Sequence, residues 1–100
     1  MAEKLYSPIT PGEILLEEFL KPMGISQYRL AKTIGAPPRR INEIVLGNRR
    51  ITPGTGIRLA RALGLSDYYW VNMQAHYDLE IEKEKHQDEI DAITPLLATQ

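Results

Sequence analysis

Between Gln27 and Ile44 the chain reads Q-x-x-x-A-x-x-x-G-x-x-x-x-x-I-x-x-I, with Gln27, Ala31, Gly35, Ile41 and Ile44 as its fixed points. Few arrangements satisfy that spacing. Gln27 opens a short helix, and Ala31 is small enough for a second helix to pass over it. Gly35 supplies the positive φ that ends the first helix without a Cβ penalty. Ile41 and Ile44, three apart, pin the second helix to a core and leave its other face to solvent. The expected unit, residues 27–46, is a helix, a tight turn and a second helix held out as a probe.

The flanking sequence is punctuated by Gly, Pro, Ser and Thr, and no segment has the alternation of a strand, so the chain should be all-α. Residues 1–9 read as an irregular arm. Thr10, Pro11 and Glu13 form a helix start, with Thr10 as N-cap and Glu13 reaching back in a capping box. This first helix should run to about Lys21, ended by Pro22 and Gly24, with Ile14, Leu15, Phe19 and either Leu20 or Met23 toward the core. Ser26 caps the second helix and Pro37 starts the third. Thr52 and Pro53 open a fourth, with Ile57, Leu59, Ala60 and Leu63 inward and Gly64 as its stop. Ser66 caps a fifth, expected from about Asp67 to Ile93, whose apolar positions Trp70, Met73, Tyr77 and Ile81 advance by three or four. Residues 10–81 then form one domain of five helices, and 82–100 an acidic helical extension.

Near-neutral net charge (−1) conceals a polarised chain. From residue 25 to 64, eight cations (Arg29, Lys32, Arg39, Arg40, Arg49, Arg50, Arg58 and Arg61) face one anion, Glu43. From 65 to 100, Lys83 and Lys85 face eight acids, a balance of −6. The basic part suits phosphate, and the acidic part is either a solvated face or a surface for a basic protein. Without cysteine there are no disulfides or thiolate metal sites. No apolar run approaches membrane-spanning length and the N-terminus lacks a signal-peptide core, so a cytoplasmic location is expected.

An exposed probe helix in a basic setting points to the major groove of double-stranded DNA. With Ile41 and Ile44 inward, Pro38, Arg39, Asn42 and Glu43 face outward. Arg39 can pair with a guanine and Asn42 with an adenine, while Glu43 either accepts from a cytosine or orients Arg39 or Arg40. Asn48, Arg49 and Arg50 follow on the next loop and are assigned to phosphates, with Arg40 and the Gln27 end of the second helix. Arg58 and Arg61 read instead as surface or intramolecularly paired charges. A domain this small gains specificity as a homodimer on a palindromic operator. Tyr69, Met73 and Tyr77 on the fifth helix are the candidate dimer surface, while Trp70 closes the monomer core.

An enzyme is disfavoured. His76 and His86 lie ten residues apart and do not share a face at metal-ligand spacing, Glu82 and Glu84 read as part of a solvated run, and Ser26 and Ser66 are explained as caps. No cofactor or metal is expected.

Three stretches, P-x-x-R-I-N-E-I-x-x-G-x-R-x-I at residues 37–51, R-L-A-R-A-L-G at 58–64 and Y-W-V-N-M-Q-x-x-Y-D-L at 69–79, resemble the HigA (VapI-like) antitoxin family. This is a branch of the xenobiotic-response-element type of helix-turn-helix proteins, related more distantly to lambda repressor. P-G-E-I-L-L-E-E-F-L at 11–20 matches as well. The resemblance implies a five-helix lambda-repressor-like domain that represses its own operon and neutralises a HigB-type, ribosome-dependent mRNA interferase. It places the DNA-reading helix at residues 37–46, with Arg39, Arg40, Asn42 and Glu43 in recognition positions. The alternative is a regulator of the same fold with no toxin partner.

Overall fold

Helix α1 begins where Thr10, in extended conformation, accepts a hydrogen bond on Oγ1 from the Glu13 N–H at 3.1 Å. The Glu13 carboxylate makes no return bond, so only half of the expected capping box forms. The computed structural model describes residues 8–97, and every regular element among them is a helix. The expected N-terminal arm lies outside the described residues except for Pro8 and Ile9, as do the last three residues of the tail.

Helix α1 covers residues 11–23 but is not uniform. It is α-helical over Pro11–Ile14, widens to a π-helix over Leu15–Leu20, and returns to α over Lys21–Met23. The wider turn lets Leu15 and Leu20, five apart, both reach the core, whereas Met23 is exposed. The π stretch ends where Lys21 donates to the Leu16 carbonyl, one residue before Pro22, which has no N–H to give. Gly12, in the first turn, lies against the backbone of the probe helix. A Cβ built on it would lie 1.7 Å from the Ile44 carbonyl oxygen. Only hydrogen fits there, so Gly12 sets how closely α1 packs on the probe helix.

Helices α2 (Gln27–Ile34) and α3 (Pro38–Val45) form the expected pair. Ser26 Oγ accepts from the Arg29 N–H at 3.0 Å. Gly35, at φ 73°, closes α2 in a Schellman turn: Ala36 N–H donates to the Ala31 carbonyl and Gly35 N–H to that of Lys32. Pro37 is the N-cap of α3 and Pro38 its first residue, where a missing N–H costs nothing. Ala31, Ile41 and Ile44 are buried.

Helix α4 (Pro53–Leu63) is capped by Thr52 and turned slightly from expectation. Gly56, Leu59 and Ala60 face inward, and Ile57 lies on the surface. The reason is Gly56, which lets α4 settle against Ile51, Trp70 and Val71 with no side chain between. Helix α5 (Tyr69–Lys85) starts later than expected because Asp67 and Tyr68 form a turn tied to Ser66. It also ends earlier. The backbone breaks at His86 (φ −128°, ψ 33°) before the short helix α6 (Gln87–Asp91). Trp70 is fully buried, edge-on to Phe19 and Tyr69 at 5.4 and 5.0 Å. Its Nε1–H has no hydrogen-bond partner among the described residues. Beyond Ile81 the aliphatic side chains find no cover among the described residues: Ile90, Ile93, Leu96 and Leu97 are all exposed.

Candidate nucleic-acid interface

The surface of α3 is organised by hydrogen bonds between its own polar side chains and their neighbours. Asn42 Nδ2 donates to Gln27 Oε1 at 2.6 Å, joining the probe helix to the first residue of α2. Glu43 accepts from two arginines, from Arg49 Nε at 2.9 Å and from Arg39 Nε at 3.1 Å. These bonds, Arg49 foremost, hold the Glu43 carboxyl below its ordinary range, so it is an anion at neutral pH. Arg39 and Arg49, one expected at bases and one at phosphates, are thus brought onto a single carboxylate. Each uses one donor there and keeps the rest of its guanidinium for other acceptors.

Pro38, Arg39 and Asn42 are exposed, and Arg40 and Glu43 are partly buried along the flanks. Arg29 and Arg40 have no acidic partner among the described residues. Tyr28 stands exposed beside them with the Lys32 ammonium 5.8 Å from its ring, a contact the sequence did not suggest. Asn48 lies at the mouth of the loop after α3, its N–H donating to the Glu43 carbonyl at 2.9 Å. Arg50 is held differently. Its Nη1 and Nη2 donate to Asp78 Oδ1 and Oδ2 at 3.1 and 2.7 Å, a bidentate pair that keeps Asp78 below the ordinary carboxylate range.

Of the other cations, Arg61 pairs with Asp67 at 2.7 and 3.1 Å and Arg58 donates to the Gly54 carbonyl at 2.7 Å, in keeping with intramolecular roles. Tyr69, expected at a dimer surface, is half-buried against Phe19 and Trp70 of its own chain. Met73 and Tyr77 line an open groove of about 790 Å³ with Pro8, Ile9, Ile14 and His76. Among the described residues no cluster of His, Asp and Glu could hold a metal, and no helix is long and apolar enough to cross a membrane.

Two short helices crossing at a left-handed glycine, the second with an exposed polar row, define the helix-turn-helix class, and residues 16–70 match the helix-turn-helix family itself. The chain is 50% identical to virulence-associated protein I of Dichelobacter nodosus, over 88% of this chain and 81% of that one. It is 34% identical to antitoxin HigA-1 of Vibrio cholerae, over 92% and 87%. The structure of Pseudomonas aeruginosa antitoxin HigA with the higBA promoter superposes with a TM-score of 0.83 at 37% identity, covering 90% of this chain and 99% of that one. The chain belongs to the HigA (VapI-like) antitoxin family, a family of helix-turn-helix regulators rather than enzymes.

Proposed function

We propose that this protein is the antitoxin of a type II toxin–antitoxin module, a cytoplasmic repressor that binds its own operator as a dimer and neutralises a HigB-type toxin. The observation that carries the reading is the braced polar row on α3. Asn42 is fixed by Gln27 of the neighbouring helix, and Arg39 and Arg49 meet on the Glu43 carboxylate beside it, on a helix whose opposite face is buried. Side chains set in one pose lose little entropy on meeting base edges. In this reading Pro38, Arg39, Asn42 and Glu43 face bases. Gln27, Arg40, Asn48, Arg49 and Arg50 hold phosphates, and Met73 and Tyr77, with the edge of Tyr69, contribute to the dimer face. Two copies would place their probe helices about one helical turn of DNA apart, ~34 Å.

Operator titration over a range of salt concentrations tests the DNA part. With about four phosphates held per subunit, the dimer's log–log slope is near −7. Arg49→Ala, present in both subunits, should lessen the dimer's slope by about two units on every sequence, whereas Arg39→Ala should relax discrimination at one base pair of each half-site by roughly 1–3 kcal/mol. Uniform loss in both variants would overturn the division of labour. Co-expression with the adjacent reading frame, with pull-down and growth rescue, tests the toxin part. If no neighbouring protein binds, the stand-alone regulator reading replaces it.

A further inference from the structure

Helix α5 takes part in this surface although none of its residues belongs to the probe. Gln74 is 5% exposed, the one buried polar side chain recorded among the described residues, and both ends of its amide are used. Its Oε1 accepts from the Ile51 N–H at 2.8 Å, and its Nε2 donates to Asp78 Oδ1 at 3.0 Å. Asp78, one turn further along α5, receives Arg50 through both terminal nitrogens. Trp70, one turn before Gln74, anchors the helix in the core, and the Ile51 side chain is itself buried. Arg50 and Ile51 are therefore clamped, side chain and backbone, to an element that packs nowhere on DNA in the proposed docking.

An aspartate beside a phosphate-binding arginine is at first sight a liability, because it repels the ligand and cancels the charge. The geometry resolves this. A guanidinium has five N–H donors, and the pair with Asp78 uses two of them. Three remain on a side chain that is still 59% exposed. Bidentate pairing fixes the plane of the fork, which a flexible arginine would otherwise have to order on binding. We propose that Asp78 and Gln74 are positioning residues for DNA binding, holding Arg50 and the loop after α3 in the pose that meets the phosphate backbone. The proposal rests on the DNA-binding reading above and assigns α5 a part in it.

The test is operator titration against salt with Asp78→Asn, run beside Arg50→Ala and the double variant. If Asp78 were only a nearby negative charge, removing it would strengthen binding and steepen the salt dependence. Positioning predicts the reverse: affinity falls about three- to tenfold, and the dimer's slope lessens by up to about two units, one per subunit, as for Arg50→Ala. The double variant should be no weaker than Arg50→Ala alone, because both break the same contact. Asp78→Glu should recover part of the loss. Unchanged or tighter binding by Asp78→Asn, or additive losses in the double variant, would sink the proposal. Should Asp78→Asn fail to fold, Arg50→Lys decides: it keeps the charge but not the fork, so positioning requires binding close to that of Arg50→Ala, and near wild-type binding refutes it. Failure of the wild-type protein to bind any operator, by contrast, would defeat the DNA reading itself and this proposal with it.

Discussion

Helix α3 and the stretch from Ile81 to Leu97 are both rich in polar side chains with a few aliphatic ones among them, yet they are held in opposite ways. On α3 the two isoleucines are buried, Gly12 lets α1 press against the backbone of Ile44, and the outward polar groups are linked to one another. In the C-terminal stretch the aliphatic side chains after Ile81, namely Ile90, Ile93, Leu96 and Leu97, lie open. Ion pairs there run along the helix, as in Lys83–Glu80 at 3.8 Å, and the rod breaks at His86 without glycine or proline. Contacts between elements fix α3, while contacts within one element govern the arm. Pairs of the second kind contribute little, about 0.3–0.5 kcal/mol each, and do not hold a helix straight.

The same substitution at two isoleucines puts the largest number on that contrast. Ile44→Ala should cost about 2–5 kcal/mol of unfolding free energy in urea, because it opens a cavity beneath the probe helix. Ile90→Ala should cost no more than about 0.5 kcal/mol in the isolated protein. Comparable losses at both sites would mean that the arm is packed and the contrast is wrong. Gly12→Ala comes next, at about 1–3 kcal/mol. Ordinary helix propensity favours alanine there by about 1 kcal/mol, so a stabilised variant would show that α1 can back away from Ile44 at no cost.

The smallest effect sharpens the account of the loop. Asp78 is held below the ordinary carboxylate range first by its bonds from Arg50, and second by Gln74. A lowered folded pKa means that the stabilisation is complete above the unfolded-state value and fades only as pH falls through the folded one. Between pH 5 and 8, therefore, this pair should add no slope to stability (both limits lie above the ordinary Asp value of about 3.9). The Asp78 carboxyl, followed by NMR, should titrate at higher pH in Arg50→Ala than in the wild type. Equal midpoints would show that the bidentate pair is not populated in solution.

What could be read from the sequence divides along the same line. Thr10, Ser26 and Thr52 each cap a helix by a bond to a residue three further on, and Gly35 ends α2 by bonds within five residues. Such signals are short-range and were legible, as was the burial of Ile41 and Ile44. Arg50 meets Asp78 across 28 residues and Ile51 meets Gln74 across 23, and no local spacing announces either pairing. The hints were a Gln and an Asp at i, i+4 in the aromatic first half of the helix, both within the Y-W-V-N-M-Q-x-x-Y-D-L stretch. Gly12 had a faint signal too, since glycine in a first turn weakens a helix unless something must come near it. Ile57 was expected inward and lies on the surface, because which face of α4 turns inward is set by the close fit of Gly56 against Ile51, Trp70 and Val71 rather than by the helix itself.

The widened turn in α1 carries a consequence for how this sequence can vary. A π-turn houses roughly one residue more than the α-turn it replaces, so its register is borrowed from an insertion. Deleting one residue between 15 and 20 is absorbed by tightening the π-turn to an α-turn, but deleting a second would shorten the helix by about 1.5 Å more and swing everything before it through about 100°. Pro11 and Gly12 would then leave the back of the probe helix, and a bulkier side chain would arrive in their stead. Point changes in that segment are a matter of volume and a one-codon loss is taken up by the turn, but a two-codon loss would unseat the reading head from the opposite side of the molecule.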